Sequence, residues 1–116
     1  MIQVKRVYEK AAKTDGYRVL VDRLWPRGMK KEDVKMKLWM KDVAPSDTVR
    51  KAFCHDVKLW PRFDKAYRAE LDKKKELLAE LKKMEKEHGT LTLLYGAKDE
   101  EHNQAVVLAE VLRGHG

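Results

Sequence analysis

GTLTLLYGAKDEEHNQAVVLAEVLR, residues 89–113, packs a strand, a tight connection and a helix into one stretch. Leu91 to Tyr95 is a short, mostly apolar run bounded by Gly89 and Gly96, the pattern of a strand buried on both faces. Gly96-Ala97-Lys98-Asp99 makes the connection. From Glu100 to Arg113, Ala105, Leu108, Ala109 and Leu112 fall on one helical face, and Asp99 stands where it can cap the helix start. A buried strand running into a helix is the building unit of α/β domains.

The rest of the chain extends this pattern. Tyr17 to Asp22, YRVLVD, is rich in β-branched and aromatic residues and reads as a strand. It runs into Arg23-Leu24-Trp25-Pro26-Arg27-Gly28, where Pro and Gly stop regular structure. Residues 2–7, IQVKRV, alternate apolar and polar as a further short strand, and the polar stretch Glu9 to Gly16 connects the two through an Asp15-Gly16 turn. Lys30 to Val34 predicts one helical turn and Lys37 to Val43 a short strand. Ser46, after Pro45, predicts an N-cap for a short helix through Phe53, and Asp56 a second cap. From Trp60, apolar positions Phe63, Tyr67, Leu71, Leu78, Leu81 and Met84 keep three-to-four spacing. That spacing predicts one helix of about 27 residues and about 40 Å, stopped by Gly89. The lysines at 73–75 and 82–83 fall on its solvated face. We expect a single α/β domain over residues 1–116. Its small, partly parallel sheet of about four strands packs with helices in an open two-layer or three-layer arrangement, with one long helix mid-chain.

Composition narrows the function class. The chain has 116 residues, 43% hydrophobic and 39% charged, so it has one domain's core and is neither disordered nor membranous. Its apolar runs fall short of the ~18 residues of a transmembrane helix, and MIQVKRVYEK lacks a signal peptide's apolar stretch. The single cysteine, Cys54, allows no internal disulfide, and a cytoplasmic location is expected. Residues 1–41 hold 12 Lys and Arg against 5 Asp and Glu, and this segment carries the whole net charge of +7. Such asymmetry suits a surface that meets phosphates, or a merely soluble face.

If strands 17–22 and 91–95 lie side by side and parallel, the loops after them open on one edge, where α/β sheets hold ligands. In the first loop, Arg23 and Arg27 offer planar forks suited to phosphate, Trp25 a ring to stack, and Gly28 a close backbone approach. The plain alternative makes Leu24 and Trp25 core residues, with Arg23 paired to Asp22 or another carboxylate. In the second loop, Lys98 is a point charge, and Asp99, His102 and Asn103 share one helical face. There Asp99 orients His102 as an acid or base, and Lys98, Asp99 and His102 are the catalytic candidates. The plain alternative is an acidic helix cap. Four scattered histidines and one cysteine give no metal-ligand spacing. The absence of GxGxxG, Walker and GxSxG motifs leaves the cofactor open.

VDRLWPRG at 21–28 and LTLLYGAKDEEHNQAVVLAEVL at 91–112, with KRVYE at 5–9 and RKAFCHD at 50–56, resemble the YeaO-like family within the domain-of-unknown-function 488 grouping. The resemblance covers nearly the whole chain and implies a small cytoplasmic α/β protein. It adds His55 to the ligand-binding candidates. It leaves out Cys54, where relatives often carry Gly. Three function classes follow. The first is an anion- or nucleotide-binding site, with or without catalysis, that takes a phosphate-bearing small molecule. The second is a nucleic-acid-binding module built on the basic N-terminal third. The third is an interaction domain that docks a partner on an exposed apolar stripe of the long helix.

Overall fold

In the computed structural model, which describes residues 1–54 and 56–114, every residue of strand β4 (Leu91–Tyr95) is buried. That strand is central because its neighbours pair on both sides. Strand β1 (Ile2–Arg6) joins it in parallel with Ile2 opposite Leu91, and β2 (Tyr17–Leu20) joins it in parallel with Tyr17 opposite Leu91. The two-residue β3 (Leu38–Trp39) pairs in parallel with β2, so the order is β1-β4-β2-β3. Every pairing is parallel, beyond the partial parallelism expected. Consecutive strands here are joined by crossovers rather than hairpins, and a parallel strand needs such a connection.

Helices α2 (Asp47–Phe53), α3 (Trp60–Asp72), α4 (Lys75–His88) and α5 (Gln104–Gly114) all feed one large core cluster with Val19, Leu91, Leu93 and Tyr95. The other face of the sheet is covered by a single turn, α1 (Lys31–Val34), and by irregular chain. There Val7, Leu20, Val34 and Leu94 form a second cluster under Trp25 and Trp39. The arrangement is the open two-layer form.

The single long helix is not formed. The chain breaks at Lys73 and Lys74, whose amides turn to the carbonyls three residues back, on Glu70 and Leu71, and α4 starts afresh. A straight helix of the expected length, ~40 Å, would overrun a molecule whose longest dimension is 36 Å. Lys74, at the position where the apolar stripe skips a turn, instead donates through Nζ to the Ala44 carbonyl at 3.2 Å. The stripe itself is spent on the core. Phe63, Tyr67, Leu71, Leu78 and Leu81 are all buried, so the exposed docking stripe is absent from the described helices.

Both caps form as read: Ser46 Oγ accepts from the Val49 amide and an Asp56 carboxylate oxygen from the Lys58 amide. Gly16, at φ +63°, sits where a Cβ would fall 2.3 Å from the Thr90 carbonyl oxygen, so the turn into β2 requires glycine. No helix of the described residues is long and apolar enough to cross a membrane.

Candidate functional site

All four strands point their carboxyl ends the same way, so four loops meet at one edge. Side chains stitch them together. Arg6 Nε donates to Ala97 O at 2.9 Å, Tyr8 Oη to Arg27 O at 2.9 Å, and Trp39 Nε1 to Asp22 O at 2.7 Å. Arg23 reaches across to the carbonyls of Ala44 and Pro45 at 3.2 and 3.3 Å. Between the loops lies a cleft of about 680 Å³. Its volume falls within the ~300–1,000 Å³ of small-molecule sites. A second depression, at the β1 edge, is lined by Met1, Lys82, Glu85 and Arg113, and these groups already pair with one another or with the backbone.

Arg23, Trp25, Arg27, Lys98, Asp99, His102 and Asn103 all line the cleft, so the two loops singled out in the sequence do meet. Their side chains have different commitments. Among the described residues the Arg27 guanidinium and the Lys98 ammonium have no hydrogen-bond or ion-pair partner, and both residues are exposed. Among the described residues Arg23 pairs with no carboxylate, against the alternative that tied it to Asp22 or another one, and its carbonyl partners leave its charge uncompensated. Arg50 adds a further cation, held by Asp47 at 3.2 Å.

Trp25 does double duty. Its indole donates to the Met29 carbonyl at 2.7 Å and meets Trp39 edge-on at 5.3 Å, yet its flank remains on the cleft. Gly28 is not among the lining residues; its φ of +78° serves the turn that re-enters after Pro26. His55 lies outside the described residues.

The second loop is more tightly organised than its sequence shows. Asp99 Oδ1 accepts from the amides of Glu101 and His102, and Oδ2 lies 2.9 Å from His102 Nδ1. The Glu101 amide, chiefly, together with the bonds from His102, holds the Asp99 carboxyl below its ordinary range. A carboxylate on that side favours a proton on Nδ1, which it can accept. The His102 ring packs edge-on against Trp60 at 5.1 Å.

Asp99 therefore closes a turn rather than the helix, and α5 begins four residues later than expected. Asn103 caps it: Oδ1 accepts from the Val106 amide at 3.1 Å, and Nδ2 donates back to the Asp99 carbonyl at 2.9 Å. That buried amide is held at both ends by the cap, and it also lines the cleft, where the sequence reading made it a ligand-binding candidate.

Asp22 is the residue that sequence reasoning left out of the site. It stands just past β2, facing the start of the loop after β4. Its Oδ2 accepts from the Gly96 amide at 2.8 Å, and its Oδ1 accepts from Gln104 Nε2. A Cβ on residue 96 would come 3.0 Å from that oxygen, so glycine permits the approach. Burial, only partly offset by these two neutral donors, pushes the Asp22 carboxyl up to about 6. The available signal was an acid ending an apolar strand at the edge where α/β sheets hold ligands. No group of three or more His, Cys, Asp or Glu among the described residues could hold a metal ion.

The chain is 47% identical over 115 residues to Uncharacterized protein YeaO of Escherichia coli K12, covering 97% of this chain and 96% of that one. It is 38% identical over 113 residues to Uncharacterized protein Rv3073c of Mycobacterium tuberculosis H37Rv, covering 97% and 94%. No solved structure matches the chain significantly. A family model described as the inactive DUF488-N3 subclade matches residues 1–115, and with two such relatives spanning the same length, the chain belongs to that family.

Proposed function

We propose that the cleft at the carboxyl edge of the sheet binds a small phosphate-bearing molecule, and that Arg23, Arg27 and Lys98 hold its anion. The observation that carries this reading is the convergence of cations from separate loops on one cleft, with Arg27 and Lys98 lacking any carboxylate partner among the described residues. Clustered cations kept unpaired repel one another, and an anionic ligand relieves that repulsion. Trp25 supplies an apolar flank. Asp99 and His102, with Lys98, would serve as acid, base and electrostatic groups in a catalytic version of the site. The description of the family as inactive favours recognition over turnover.

Thermal-shift measurements with inorganic phosphate, pyrophosphate, ribose 5-phosphate, nucleotides and short DNA and RNA oligomers test the reading. A small phosphate compound at ~100 times its Kd adds about 2.7 kcal/mol of stability, and Arg27→Ala or Lys98→Ala should remove that shift. No shift with any phosphate compound would reject it. The nucleic-acid reading draws on the five exposed lysines at 30, 31, 35, 37 and 41. It would be favoured by a shift with oligomers alone that falls steeply with salt.

A further inference from the structure

The lining of the cleft combines exposed cations, apolar side chains and a carboxylate floor. Cations stand at its rim, as Arg27, Arg50 and Lys98 are all exposed. Leu24, Trp25, Pro45, Phe53 and Phe63 make the apolar part of the lining. Leu24 is 64% exposed, an apolar side chain left facing solvent at the mouth. Behind both lies Asp22, fixed by Gly96 and Gln104.

This division constrains the ligand. A bare inorganic anion needs only the rim. It would leave most of the roughly 680 Å³ unfilled and would be repelled from the floor by Asp22. An uncharged ring fits the inner part, since aromatic and proline surfaces take a flat apolar body. The two Asp22 oxygens each accept one hydrogen bond, and a carboxylate oxygen has capacity for a second. The floor therefore selects a group that donates.

We infer that the ligand is a planar heteroaromatic ring bearing N–H donors and joined to a phosphate, a nucleoside monophosphate in chemical class. The ring lies against Trp25, Pro45 and the two phenylalanines and gives a hydrogen bond to Asp22, and the phosphate sits at the rim on Arg27 and Lys98. This rests on the phosphate-binding reading above and adds to it which body the phosphate carries and which residue reads that body.

Titration calorimetry with AMP, GMP, CMP and UMP, against ribose 5-phosphate and inorganic phosphate, separates the two. At least one nucleoside monophosphate should bind tenfold or more tighter than ribose 5-phosphate. Asp22→Asn should remove most of that advantage and leave ribose 5-phosphate affinity within about twofold. Arg27→Ala should weaken both ligands. Equal affinity for ribose 5-phosphate and all four nucleotides would overturn the ring assignment and leave the phosphate reading standing. Equal loss of every ligand in a folded Asp22→Asn variant would overturn the part given to Asp22. Nucleotide binding that ignores Arg27→Ala and Lys98→Ala would overturn the phosphate reading itself, as would no binding by the wild-type protein.

Discussion

Two carboxylates, the buried Asp15 and the half-buried Asp22, lie at opposite ends of β2, and their surroundings could hardly differ more. Asp15, before the strand, accepts from the Ala12 amide at 3.0 Å, from Lys5 Nζ at 3.1 Å and from Arg18. Arg18 in turn donates to the carbonyls of Val34 and Lys35 at 2.8 and 3.1 Å. Burial alone would raise the Asp15 carboxyl, but the amide and the two cations outweigh it and hold it below its usual value. Asp22, after the strand, has only neutral donors, so burial wins and its carboxyl rises to about 6. One acid has its charge neutralised by the fold. The other has a charge that the fold does not neutralise, since its donors Gly96 and Gln104 are both neutral. The part proposed for Asp22 in reading a ligand would account for such a cost at neutral pH.

The largest expected effect breaks the first arrangement. Asp15→Ala would strand Lys5 and Arg18 under the back of the sheet, at a cost of about 3–5 kcal/mol measured by urea unfolding. Asp22→Asn should act with the opposite sign. It removes a poorly solvated charge while the amide oxygen still accepts from Gly96, so stability at pH 8 should rise by about 1–3 kcal/mol. A loss of stability there would mean that Asp22 is structural like Asp15.

The pH dependence sharpens the same contrast. For Asp22 the folded value of about 6 exceeds the ordinary aspartate value of 3.8. Between these values the native state binds more protons than the unfolded chain, so stability declines as pH rises. The gap between wild type and Asp22→Asn should therefore open from about pH 4 and level off above about pH 7. Asp15 contributes in the reverse sense, as stability lost only when pH falls below its usual range. The smallest effect is expected at the rim. Arg27→Ala and Lys98→Ala should change unfolding free energy by no more than about 0.5 kcal/mol, because these exposed side chains hold nothing together.

Local signals in the sequence identified the elements whose causes are local. The Gly-bounded run at β4 and the caps at Ser46 and Asp56 needed only neighbouring residues, and they stand as read. The break at Lys73 and Lys74 was hidden because its partner, Ala44, lies 30 residues away. Spacing alone continued the helix through a point where tertiary contacts bend the chain back over the sheet. The later start of α5 was hidden because Asp99 and Asn103 both resemble caps, and only the turn between them tells which one is used. Asp22 owes its environment to residues 74 and 82 positions away, brought close by the parallel pairing of β2 with β4. The two loops of the cleft were legible because strand ends in a parallel sheet share an edge. The chemistry between them depended on contacts across the whole chain.

The pairing of β1 with β4 also sets an order of events. During synthesis β1 precedes β4, its strand partner among the described residues, by about 90 residues, a wait of roughly 5–20 s at ordinary elongation rates. The amino terminus then locks onto the end of α4 through Glu85 and the Gly89 carbonyl. Until that moment the nascent chain carries an unpaired strand, and the charges at Lys5 and Arg6, its last two residues, guard it against pairing with another copy.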